Sequence, residues 1–127
     1  MVEEYGFADR IVINTFNGKL HEYINKTYGS KYRQHVYYPL SHMGTLERNP
    51  YEYAFCCCMF RSQPSELNMA PGEEFLQMAS FGVEPWAGAC VADEKGVDLA
   101  IECGARLITC NNPDVILDLL RQKGYHQ

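Results

Sequence analysis

Three consecutive cysteines, Cys56, Cys57 and Cys58, are the first residues in this 127-residue chain whose type and spacing could do chemistry. Thiolates bind soft metals or attack as nucleophiles. A metal site, however, wants ligands spaced as C-x2-4-C, and neighbours in a strand point to opposite faces, so at most two of the three could converge. Adjacent cysteines also lack the Cα separation that a disulfide needs. The triplet therefore reads as small buried apolar side chains with reduced thiols, and no metal ligand is assigned. His21, beside Glu22, falls inside a helical stretch and reads as part of its polar face. His42 reads as a solvated loop residue. Asn111 and Asn112, just before Pro113, could offer amides to a phosphate at a helix N-terminus, but Asn112 as an ordinary N-cap needs no ligand.

These residues must be positioned by a run of alternating elements. The stretch RIVINTF, rich in β-branched residues, predicts a strand. In NGKLHEYINKTYG, Leu20, Tyr23, Ile24 and Tyr28 share one helical face and Gly29 closes the helix. HVYYP predicts a second strand and LSHMGTLERNPY a loop. YAFCCCMF is apolar on both alternating faces, as a strand buried on both sides of a parallel sheet should be. Pro71 is expected to open a helix over PGEEFLQMASF at its first position, with Gly82 as the stop. The strand VEPWAGACV follows, then a helix from Glu94 to Cys103 capped by Asp93, the strand ARLITC, and a closing helix with Asn112 as cap and Pro113 at its first position. The first ten residues read as the last turn of a helix ended by Gly6, so that the chain begins inside a unit.

Alternation of this kind yields a parallel sheet with right-handed crossovers. No strand is followed by G-x-G-x-x-G or G-x-x-x-x-G-K-[ST], which argues against a nucleotide-binding open sheet. An eight-unit barrel takes about 250 residues, so this chain is near half of one. The expected fold class is α/β, the C-terminal half of a TIM-type (βα)8 barrel, with residues 1–127 forming a single partial domain. Sixteen acidic against eleven basic residues give a net charge of −5. With no basic cluster, nucleic acid is an unsuitable partner. The absence of a long apolar stretch or basic-then-apolar leader predicts no membrane span and a cytoplasmic location.

The stretch RIVINTFNGKLHEYI resembles the fifth strand and helix of the glycerophosphodiester phosphodiesterase family. The stretch Met78 to Gly82, then VEPWAGACVADEKGVDLAIECGARLITCNNPDVILDLLRQKG, resembles its seventh and eighth units. The resemblance implies a divalent cation, Mg or Ca, in the full-length family. It also implies hydrolysis of a small-molecule glycerophosphodiester to glycerol phosphate and an alcohol. The family's early strands supply a His-Arg pair, a Glu-x-Asp pair, a second His and a later Glu with Lys. This chain has no His-Arg dipeptide and no Glu-x-Asp, so no catalytic residue carries over and the chain alone is expected to be inactive. Trp86 and Phe16 carry over as substrate-binding residues, apolar walls at the C-terminal rim. Ala87, Gly88 and Ala89 depart from the family's Thr and polar residue after the tryptophan. As a half barrel, the chain should leave RIVINTF and ARLITC without a neighbour and self-associate or require a missing N-terminal half. The competing expectation is a non-catalytic half-barrel that dimerises or binds a partner through Tyr37, Tyr38 and Cys56 to Phe60.

Overall fold

Residues 4–60, 69–88 and 91–126 are described in the computed structural model. Two of the four helices start at a side-chain cap, and the other two start at a proline. Asn17 caps the first helix, α1 (Gly18–Tyr28), by accepting the Leu20 N–H. Asp93 accepts the Gly96 N–H at the start of α3 (Glu94–Glu102). Pro113 occupies the first turn of α4 (Pro113–Gln122). Gly29, Gly82, Gly104 and Gly124 follow the four helices with φ between 61° and 83°, the left-handed backbone that ends a helix cheaply only at glycine. The helix α2 (Gly72–Ser80) differs from expectation in one detail. Pro71 is its extended N-cap and not its first helical residue.

The strands are β1 (Val12–Asn14), β2 (Arg33–Tyr38), β3 (Cys56–Met59), β4 (Glu84–Ala87) and β5 (Leu107–Ile108). They form one sheet in the order β1-β2-β3-β4-β5, and all four pairings are parallel. A sheet whose order follows the sequence has no point of reversal, and crossovers of one hand then place the connecting helices on one face. The doubly wound alternative needs such a reversal, and the described residues contain none. The chain is therefore an α/β half-barrel of five parallel strands. Between β2 and β3 the connection is two short 3-10 turns, Leu40–Met43 and Pro50–Glu52, in place of a helix.

Register sorts the strand residues between two faces. Val36, Cys57, Met59 and Ala87 point outward and join Phe75, Met78, Val97, Ala100 and Ile116 in one core. His35, Tyr37, Cys56, Cys58 and Trp86 alternate with them and share the inner face. Only β3 is buried along its whole length, as its central place requires, so the cysteine triplet is core.

Two expectations about α1 are overturned. Leu20, Tyr23 and Tyr28 lie exposed, while Gly18, His21 and Ile24 are buried, Gly18 against Leu46 and Met43 of the β2–β3 connection. His21 is fully buried, not on a polar face. One ring nitrogen meets Gln34 Oε1 on β2 and the other the Thr15 carbonyl oxygen at 3.0 Å. Specific hydrogen bonding to the sheet thus outweighs the hydrophobic stripe in setting the helix's rotation. The helix end expected before Gly6 includes residues 1–3, outside the described ones, as are Ala89 and Cys90 of the fourth predicted strand. From residue 4 the chain makes a turn through Gly6 and a 3-10 turn at Ala8–Arg10.

Gly88, just past β4, is packed too closely to admit a side chain. A Cβ there would overlap Cys58 Sγ and press on Phe60. Gly88→Ala is expected to destabilise the chain by about 1–3 kcal/mol through overpacking, measured by denaturant unfolding. Adding Cys58→Ala should recover part of the loss, and equal loss in both backgrounds would show that the two residues do not compete for space.

Candidate functional site on the inner face

The inner face carries a continuous stack of four rings. Phe16, two residues beyond β1, lies on Tyr37 with centroids 3.9 Å apart and planes at 21°. Tyr37 faces His35 at 5.0 Å, and His35 faces Trp86 at 4.4 Å and 17°. Phe60, just past β3, stacks on Tyr37 at 5.9 Å, and exposed His42 touches Phe60 edge-on at 5.4 Å. The Tyr37 hydroxyl donates to Asn14 Oδ1 at 2.5 Å, fixing that ring against β1. Alternation explains the assembly: His35 and Tyr37 are two apart on β2 and must share a face. Their neighbours in register are Cys56 and Cys58, too small to interrupt the line, so Trp86 reaches across from β4.

The two residues expected to line the rim, Phe16 and Trp86, therefore sit at opposite ends of one aromatic stack. Phe16 is 54% exposed and Trp86 half-buried. Sequence reasoning missed His35, which joins them. The available signal was its period-two spacing from Tyr37 in a strand whose inner face had to be identified first.

Three polar atoms on this face are buried without a partner among the described residues: His35 Nε2, Trp86 Nε1 and Glu84 Oε1. Burial, with a smaller contribution from His21, pushes His35 down to about 4, so its ring is neutral at pH 7. Burial pushes the Cys56 thiol up to about 11 and Cys58 to about 12, and raises Cys57 further. These are protonated thiols, poor ligands and poor nucleophiles. Glu84 lies 3.6 Å from Arg106. Among the described residues no three His, Cys, Asp or Glu side chains converge for a metal ion, and protonated thiols with an Arg-paired carboxylate do not suit a hard divalent cation. What the inner face can do is bind: it offers apolar ring surface with a few fixed polar atoms beneath.

Elsewhere the candidates separate. Asn111 and Asn112 are both exposed, and Asn112, though at the N-cap position, makes no side-chain capping bond. The surface expected to bind a partner through Tyr37, Tyr38 and Cys56 to Phe60 is mostly interior. Tyr37 and Cys56 to Met59 are buried, so they cannot form a free docking patch. Among the described residues no helix is long and apolar enough to cross a membrane. Comparison with family models, curated proteins and solved structures finds no match to this chain.

The neutral, enclosed His35 makes stability depend on pH. Its folded pKa lies below its unfolded value near 6.5, so the unfolded chain binds more protons between those values, and stability falls as pH drops from about 7 towards 4. Between pH 7 and pH 5 the loss should be about 1–2 kcal/mol. Denaturant melts at pH 7 and pH 5 should differ in the wild type and converge in His35→Phe. An unchanged pH slope in that variant would assign the effect to other groups.

Proposed function

We propose that this chain supplies five strands of a phosphodiesterase-like (βα)8 barrel and forms the substrate wall of a site that hydrolyses glycerophosphodiesters to glycerol phosphate and an alcohol. The observation that carries the reading is the ring stack from Phe16 to Trp86 across the inner face. It joins the two residues that the family resemblance assigns to substrate. Five strands in unbroken order also support a barrel segment, with one adjustment. If β5 is the eighth barrel strand, β1 is the fourth and not the fifth, because two strands, β2 and β3, stand where the resemblance counted one.

In this reading Phe16 and Trp86 enclose the glycerol or alcohol part of the substrate. His35 holds Trp86 in place by stacking, and the Tyr37–Asn14 hydrogen bond anchors the stack at β1. Three further strands would bring the divalent cation, Mg or Ca, together with the acid and base. The side chains described here do not fit that cation, and no chemical step is assigned to them. The proposed setting is cytoplasmic. A non-catalytic half-barrel is the second reading, favoured by the exposure of both sheet edges.

The test is co-expression with a polypeptide comprising the first three βα units of a glycerophosphodiester phosphodiesterase. The expected result is a complex that releases glycerol phosphate from glycerophosphocholine in a chelator-sensitive way. The chain alone should be inactive, and Trp86→Ala should lower kcat/KM roughly tenfold or more in the complex. Failure to form a complex, or a complex that forms and stays inactive, overturns the reading. So does chelator-sensitive turnover by this chain alone.

A further inference from the structure

Among the described residues both edges of the sheet are open, β1 on one side and β5 on the other. Each edge strand leaves backbone N–H and C=O groups unpaired along one side, the pattern that templates further pairing. Both strands are short, three and two residues, which limits indiscriminate pairing, but neither carries a further protective device. β1 reads Val-Ile-Asn and β5 Leu-Ile, without proline or charge. Apolar side chains stand uncovered on the inner face at both edges, beside the polar Asn14 of β1: Val12 is 43% exposed, Leu107 41%, and Phe16 lies just beyond β1. The helices that follow the edge strands also expose apolar residues, Tyr23 on α1 and Val115 on α4.

One partner in a standard interface contributes about 800 Å², and the exposed apolar residues on both edge strands and on the helices beside them offer surface of that kind.

We infer that two copies of this chain associate about a two-fold axis parallel to the strands, with β5 of each copy pairing in parallel with β1 of the other. The direction of the axis follows from the sheet. All five strands run one way, so only a two-fold along them brings β5 to β1 in parallel twice and leaves no free edge. A two-fold across the strands pairs an edge with its own copy and leaves the other edge open. The closed arrangement is isologous and finite. It also covers the ends of the inner face at Val12, Phe16 and Leu107. Each copy carries a net charge of −5, so added salt strengthens the dimer by screening repulsion. The inference stands on the sheet alone and does not rest on the phosphodiesterase reading.

Two variants at exposed positions test it, Val12→Glu and Leu107→Lys, with circular dichroism confirming that each folds. Light scattering on a sizing column should give twice the chain mass for the wild type. Each variant alone should dissociate about tenfold or more readily. An equimolar mixture of the two should regain the dimer, since it leaves one wild-type edge pair and sets the introduced carboxylate against the introduced ammonium in the other. Three results overturn the inference: a wild-type chain that stays monomeric at roughly 100 µM, where any dissociation constant in the micromolar range gives mostly dimer, a dimer that neither substitution weakens, or a mass that climbs past two copies.

Discussion

The unbroken order of five parallel strands governs everything else in this molecule. Parallel neighbours cannot be joined by a tight turn, so each connection must cross over the sheet, and crossovers of one hand stay on one side. The outer face consequently receives α1 to α4 and becomes the single core, running from Val36 through Phe75 to Ile116. Among the described residues the inner face receives no helix. Side-chain alternation then delivers one set of residues to a packed interior and the other to an open concavity, with the same backbone serving both.

The aromatic stack is the response of the inner face to that asymmetry. Tyr37, His35 and Trp86 cannot bury themselves against a helix layer, so they bury themselves against one another, at centroid distances of 4.4 and 5.0 Å. Cys56 and Cys58 make this possible from beneath, and Gly88 makes room for Cys58 and Phe60. The arrangement gains stacking and apolar contact but encloses His35 Nε2 and Trp86 Nε1 without partners among the described residues, and an unsatisfied buried polar atom costs roughly 1–3 kcal/mol. A face with this balance is more favourable once something polar reaches those atoms. That is the physical reason for reading it as a binding surface and not simply as a second core.

Much of this is legible in the residues. Element order, the helix boundaries at Asn17, Asp93 and Pro113, the glycine stops and the doubly buried cysteine strand follow from local rules about capping, backbone freedom and periodicity. What local rules do not give is rotation and registration. The apolar stripe of α1 points to Leu20 and Tyr23, yet the helix faces the sheet with His21, because Gln34 and the Thr15 carbonyl are waiting there. His35 escapes sequence reasoning for the same cause. Its period-two spacing from Tyr37 says only that the two share a face, and its meaning appears when the strands assemble and bring Trp86 of β4 against it. The rim positions of Phe16 and Trp86 come from family resemblance, whereas their connection through His35 is a property of the assembled sheet.

Burial is graded across the sheet, and that gradient bears on where function can reside. β3 is buried at every position, β2 at most, β4 at alternate ones, and neither β1 nor β5 has a fully buried residue. Local opening follows burial and backbone pairing, so the edges are the elements that open first. Phe16 lies next to one such edge and Leu107 within the other, while the rings that anchor the stack sit on β2 and β4. The stack is thus rigid at its centre and adjustable at the Phe16 end. Any element that pairs with β1 would fix Phe16 against Tyr37 and extend order to the whole inner face. Edge pairing and ring stacking are therefore coupled through Asn14, whose backbone belongs to the edge strand and whose side chain holds the Tyr37 hydroxyl.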